Sequence, residues 1–310
     1  MRTGLVYDEI FLRHDHPDHP ERKERLIAVI NRVERDGLLK EVELIKPRRA
    51  TVEEVSLNHD PTYVQEIRDF CVSGGGFLDP DTYATEESYE VALRAVGGVL
   101  EGIDRLLRGE VEAVFCAVRP PGHHAERSKA MGFCLFNNVA IGAHYLRKVK
   151  GVGKVLIVDF DAHHGNGTQR SFYQDDGVFF FSTHQYPFYP GTGGPQERGV
   201  GKGEGFTLNV PMPAGAGDED YGRVYGELLP KLADDFSPEF ILVSAGYDLH
   251  ADDPLTYLNV STEGVRGVVR NILRIAQHRG VPVLFSLEGG YNLKALGESV
   301  SVTVEEMLAS

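Results

Sequence analysis

Cysteine is nearly absent from this chain, and the shortage excludes two kinds of scaffold. Cys71, Cys116 and Cys134 make an odd number with no C-x-x-C pair, so neither a disulfide framework nor a structural zinc knuckle is expected. A reducing compartment, the cytoplasm, suits that usage. Positive charge is also in deficit: 32 Lys and Arg stand against 46 Asp and Glu, a net charge of -14. That balance opposes non-specific binding to nucleic acid or to an anionic membrane, and its long-range field favours cationic partners. No apolar run approaches a membrane span, and the N-terminus, M-R-T-G-L-V-Y-D-E-I, meets acids before an apolar stretch of signal-peptide length develops. Repeats, low-complexity segments and Ser/Pro-rich linkers are missing too, so residues 1–310 are expected to form one domain.

What is present is an alternation of strand and helix patterns. Strands are expected at Gly4 to Tyr7, Val42 to Ile45, Ala113 to Val118, Val155 to Val158, Val178 to Thr183, Thr207 to Val210, Phe240 to Ala245 and Val281 to Leu287. Between them lie helical patterns. One opens at Pro20 with Leu26, Val29, Ile30 and Val33 on its buried stripe; others begin at Asp60-Pro61 and near Tyr89, and run over Val139 to Val149, Tyr221 to Leu232 and Thr262 to Arg279, with one more at the C-terminus. Such alternation implies an α/β protein with a mostly parallel sheet covered on both faces. The segment R-H-D-H-P-D-H-P, Arg13 to Pro20, reads as a surface loop, and His144, His184 and His278 as packed histidines.

The chemistry gathers where strands end. Val155 to Val158 is a buried-strand run, and Asp159, Asp161, His163 and His164 follow it at once, with Gly165 and Gly167 allowing a sharp turn. In open α/β sheets ligands bind beyond the carboxyl ends of strands. Asp161 and His163 would offer one oxygen and one nitrogen to a single ion; a solvated turn whose acids cap the next helix is the alternative. R-P-P-G-H-H-A follows Ala113 to Val118, G-Y-D-L-H-A-D-D-P follows Phe240 to Ala245, and E-G-G-Y follows Val281 to Leu287. A mononuclear catalytic metal needs about three protein ligands and an open position, and Asp248 is the candidate third. His123 and His124 suit a general base and a charged partner, with Asp159 and Asn166 as candidate orienting groups. Tyr291 could donate to an oxyanion.

These four motifs, in this order, resemble the zinc-dependent histone deacetylases, with R-P-P-G-H-H-A and D-x-H-H-G-N-G-T-Q similar to the class II branch and its bacterial relatives. L-D-P-D-T-Y at Leu78 to Tyr83, G-F-C-L-F-N-N at Gly132 to Asn138 and P-G-T-G at Pro190 to Gly193 match as well, so the likeness spans the chain from H-P-E-R near His19 to E-G-G-Y. The resemblance implies the arginase/deacetylase fold, a single α/β domain with a central eight-stranded parallel sheet, and hydrolysis of an N-acetyl amide to acetate and an amine. It assigns zinc to Asp161, His163 and Asp248, catalysis to His123, His124 and Tyr291 with Asp159 and Asn166 behind the histidines, and the walls of an acyl-lysine tunnel to Gly132, Phe133, Phe188 and Tyr189. Most members carry Phe where Tyr189 falls. Potassium near Asp159, Asp161, His163 and Ser182 is also implied. The implied mechanism has His124 taking the proton of a metal-activated water, Tyr291 stabilising the oxyanion, and His123 or His124 protonating the leaving amine.

Substrate is where the residues divide. Leu255, seven residues after Asp248, falls where polyamine-preferring relatives can carry an acid, which leans toward acyl-lysine on proteins; the net negative charge leans toward acetylpolyamines. A binuclear manganese ureohydrolase on the same fold is the rival enzyme, but Gly165 and His250 stand where it would need carboxylates. A non-catalytic acyl-lysine binder is the remaining alternative.

Overall fold

The computed structural model describes residues 1–310. Its strands are β1 (Thr3–Val6), β2 (Glu43–Ile45), β3 (Gly76–Phe77), β4 (Tyr83–Ala84), β5 (Ala113–Cys116), β6 (Val155–Asp159), β7 (Val178–Gln185), β8 (Thr207–Met212), β9 (Phe240–Ala245) and β10 (Val283–Leu287). Eight of them form one sheet in the order β2-β1-β5-β10-β9-β6-β7-β8, every pair parallel. The remaining two, β3 and β4, make a small antiparallel hairpin around L-D-P-D-T-Y. This is the expected eight-stranded α/β architecture. The central strands are buried along their whole length because residues such as Val155 to Val158 offer no polar face to water.

The order places the site. The four strands that end in reactive side chains, β5, β10, β9 and β6, are consecutive neighbours in the middle of the sheet, so their carboxyl ends share one rim. On one side pack α1 (Glu24–Arg35), α9 (Thr262–Arg279) and α10 (Leu293–Ala309). On the other lie α2 (Val52–Val55), α3 (Pro61–Val72), α4 (Ser88–Leu107), α5 (Asn138–Lys148) and α6 (Asn166–Phe172). The Thr51/Glu54 capping box and the Asp60 cap form as their residue types dictate. No helix is long and apolar enough to cross a membrane.

Three local expectations differ from the structure. The first helix starts at Glu24 rather than Pro20, because the H-P-E-R segment turns inward to bury Glu21. The helix expected at Tyr221 to Leu232 is longer, with α7 (Asp218–Arg223) continuing through a π turn at Val224–Leu228 into α8 (Leu229–Phe236). His278, near the end of α9, is exposed rather than packed, whereas His184 is fully buried and His144 half-buried.

Candidate active site

β6 delivers Asp159 as its last residue, and beyond it the chain leaves the sheet. There Asp161, His163 and, from the loop after β9, Asp248 each present a donor atom, and all three atoms lie within 4.8 Å of one another. Both carboxylates are buried, and 12% of the His163 side chain is exposed. Backbone N–H groups aim the carboxylates: His163 and Gly289 donate to the two oxygens of Asp161 at 2.9 and 2.8 Å, and Ala162 donates to Asp248 at 2.8 Å. His163 Nδ1 sits 2.8 Å from Asp248 Oδ2 and 3.4 Å from Asp161 Oδ1.

The electrostatics match a cation site. Burial and the charge of Asp161 push the Asp248 carboxyl up. Burial alone would lower His163, but its hydrogen bonds to Asp161 and Asp248 raise it to about 10. Two buried carboxylates thus hold a proton on an imidazole where a divalent ion would serve them better. Glycine lets the parts close: a Cβ at Gly246 would strike Asp161, and one at Gly289 would lie 2.6 Å from Asp248 Oδ2. The residues therefore fit a mononuclear metal.

The tandem histidines stand beside this group, with His123 Nε2 3.7 Å from Asp161. Their second-ring partners differ in charge. His123 Nδ1 meets the Asp159 carboxylate at 2.9 Å, and His124 Nδ1 meets the Asn166 amide oxygen at 2.8 Å. The amide cannot flip, because its nitrogen donates to the His124 carbonyl and to Glu126 Oε1 at 3.2 and 2.9 Å. His124 therefore carries its hydrogen on Nδ1 and keeps a lone pair on Nε2. Burial and the neighbouring His123 and His163 hold His124 well below the usual histidine range. His123 goes the other way: burial opposes its charge, but Asp159 and Asp161 outweigh it.

Aromatic rings surround the opening. Phe188 stacks on His163 at 5.4 Å, Tyr189 lies edge-on to His124 at 5.3 Å, and Phe133 lies edge-on to Tyr291 at 5.7 Å. Gly132 has φ +56, and a Cβ there would drive into the His124 ring. The Tyr291 phenol is pushed up by burial, with Arg25 acting against the shift. Leu255 joins the set through the backbone: Asp253 accepts from its N–H at 2.9 Å and from the Tyr291 N–H at 2.7 Å.

Several supporting residues had escaped the sequence reading. Glu288 is fully buried and accepts from the Gly122 and His123 N–H groups at 2.7 and 3.1 Å, tying the tandem-histidine loop to β10. Burial pushes its carboxyl up to about 7. Arg25 donates to the Glu288 and Gly290 carbonyls, both at 2.6 Å, and lies 4.9 Å over the Tyr291 ring. Buried Glu21 pairs with Arg25 and Arg119.

The R-H-D-H-P-D-H-P segment is correspondingly not a surface loop throughout. His14 stacks on Tyr83 at 4.4 Å with its Nε2 3.5 Å from Glu21, and His19 packs edge-on to Phe133 at 4.7 Å. Gly165 does sit in a tight turn, at φ -76 and ψ 69 with the Asn166 N–H donating to the His164 carbonyl at 2.9 Å, but what requires glycine at 165 and 167 is close approach. Neither has positive φ; a Cβ at Gly165 would strike Asp159, and one at Gly167 the Ala125 carbonyl. The same crowding leaves no room for the second-metal carboxylate that the binuclear rival needs at position 165. His250 is bonded to Thr262 at 3.1 Å.

Comparison with known proteins agrees with this geometry. Residues 19–307 match the histone deacetylase domain family. The chain is 41% identical over 298 residues to a probable deacetylase of Archaeoglobus fulgidus, an alignment covering 95% of this chain and 82% of that protein. It is 39% identical over 323 residues to the chloroplastic histone deacetylase 14 of Arabidopsis thaliana, covering 98% and 76%. The crystal structure of the HDA15 HD domain matches with a TM-score of 0.94 at 36% identity, covering all of this chain and 88% of that one.

Proposed function

The chain belongs to the histone deacetylase family and is a hydrolytic deacetylase; from that premise we propose a zinc-dependent amidohydrolase that removes acetyl or other short acyl groups from lysine side chains and releases acetate. The observation that carries the reading is the convergence of Asp161, His163 and Asp248 within 4.8 Å, beside a histidine whose free nitrogen is fixed by an amide. Those three residues would hold the ion. When bound, zinc supplies a Lewis acid and a water of lowered pKa.

The chain's own groups do the rest. His124 takes the proton of the attacking water at Nε2, its Nδ1–H being committed to Asn166. Tyr291 donates its phenolic hydrogen to the oxygen on which negative charge develops, and Arg25 braces the turn that carries it. His123, kept cationic by Asp159, adds positive charge beside the reacting centre. The proton on His124 then passes to the leaving amine. Phe133, Phe188 and Tyr189, with Gly132 behind them, wall a slot for an extended acyl-lysine chain, and Leu255 flanks it. Potassium near Asp159 and Ser182, register partners on β6 and β7, would offset part of the buried negative charge.

Asp79 and Asp81 favour a second reading, an acetylpolyamine substrate, because after burial their charges are among the causes that raise the rim phenol Tyr189. A panel of acetyl-lysine peptide, acetylspermidine and longer acyl-lysine, compared by kcat/KM, tests both. Acetate release that a chelator abolishes and zinc restores is expected. Release indifferent to chelation would overturn the proposal, and preference for acetylspermidine would transfer the substrate to the polyamine reading.

A further inference from the structure

Behind the Asn166–Glu126 hydrogen bond, on the side of the sheet covered by α2 to α6, lies a separate cavity of about 460 Å³. It is bounded by Leu57 and Asn58 after α2, by the 126–129 loop, by His144 and Lys148 on α5, and by Arg170 and Ser171 on α6. Its charge runs against that of the chain. Arg127, Lys129, Lys148 and Arg170 line it with Glu126 as the single acid, in a protein where acids outnumber Lys and Arg 46 to 32.

These cations are also poorly matched. Arg170 pairs with Glu126 at 3.3 Å, and Lys148 donates to the Leu57 carbonyl at 3.2 Å. Neither Arg127 nor Lys129 has a carboxylate within ion-pair distance, whereas Arg32, Arg48 and Arg105 each hold at least one. His144 reports the local field. Burial first, and then Lys148, with smaller contributions from His59, Arg127 and Arg147, push it down to about 3. Guanidinium and ammonium groups lining one concave surface, two of them without a carboxylate partner, are the usual recognition chemistry for phosphate oxygens.

The lining also narrows the ligand. Leu57 is the sole hydrophobic residue, so a ligand here is held through its charged oxygens rather than by burial of an apolar body. We propose that this cavity is a binding site for a small anion carrying two or more phosphate groups. The site is distinct from the slot that holds Tyr291 and does not rest on the deacetylase reading. It reaches the catalytic pair through one residue, since Glu126 shares its carboxylate between Arg170 and the Asn166 amide.

Isothermal titration of the full chain at low salt tests this, with sodium tripolyphosphate and fructose 1,6-bisphosphate as probes and orthophosphate as reference. Saturable binding of at least one probe, one per chain and tighter than orthophosphate, is expected. Affinity should fall by about tenfold or more in Arg127→Glu/Lys129→Glu. Lys148→Glu, on a different element, should weaken it independently, with thermal midpoints checking that both variants fold. Binding of tripolyphosphate alone identifies adjoining phosphates, and binding of the bisphosphate identifies spaced ones. Heat that persists unchanged in both variants would come from metal chelation and would overturn the proposal, as would the absence of saturable binding by either probe.

Discussion

Exchanging the acid and the amide behind His124 should move the pH at which the enzyme works while conserving its net charge. In the wild-type protein Glu126 accepts from Asn166, and Asn166 accepts from His124 Nδ1 at 2.8 Å. The double variant Glu126→Gln/Asn166→Asp keeps the 126–166 and 166–ring links, loses the amide's bond to the His124 carbonyl at 3.2 Å, and puts the carboxylate directly against the ring. His123 is the internal control, since a carboxylate at 2.9 Å accompanies a raised imidazole there. An opposite charge brought into contact raises an imidazole by roughly 1–3 pKa units, and removal of the Glu126 charge one bond further away keeps the net change to about 1–2. A base with a raised pKa stays protonated to higher pH, so activity is lost on the acidic side. The acidic limb of kcat/KM for an acetyl-lysine peptide should therefore rise by about 1–2 pH units, with activity recovering toward the wild-type level above it. Arg170 loses a partner 3.3 Å away, an exposed contact of small worth. An acidic limb that stays in place in a folded double variant would remove His124 as the base.

Two further perturbations separate chemistry from support. Tyr291→Phe keeps the ring under Arg25 but removes the phenolic donor, and turnover should fall by about 100- to 1,000-fold with little change in KM; unchanged turnover would take the hydroxyl out of the mechanism. Glu21→Gln leaves Arg25 and Arg119, both fully buried, short of a countercharge, and urea unfolding should show a loss of about 3–5 kcal/mol. Burial opposes the Glu21 charge, yet Arg119 and His14 hold its carboxyl well below the usual range. Its stabilising contribution should be complete above the unfolded value near ~4.3 and disappear only as pH falls through the depressed folded value. A Gln variant as stable as wild type at pH 7 would contradict that.

Although acids capping the next helix remained the competing reading until the motifs at the other strand ends were added, Asp161 and His163 were legible as a candidate ion-holding corner because they directly follow the buried run Val155 to Val158. The neighbourhood of β5, β10, β9 and β6 was not. Strand order depends on crossovers that no local pattern encodes, and it is this order that brings Asp248 and Tyr291 to Asp161. Glu21, Arg25 and Glu288 were overlooked for a different reason. Their residue types are ordinarily solvated, and only tertiary pairing makes them buried braces. Arg25 even lies within a helix whose apolar stripe is correctly legible at Leu26, Val29 and Val33. Gly165 was legible as a turn residue, and the turn is there; its close approach to Asp159, which excludes a side chain, is visible only in the structure. His278 followed the habit of packed histidines, although its place near the end of α9 faces water.

Metal content measured on the purified, dialysed chain together with acetate release from the same sample bears most directly on the shared ion between Asp161, His163 and Asp248. One zinc per chain is expected, with metal and acetate release lost together in Asp248→Ala. Two tightly held manganese ions per chain, or full release from a metal-free Asp248→Ala protein, would contradict it.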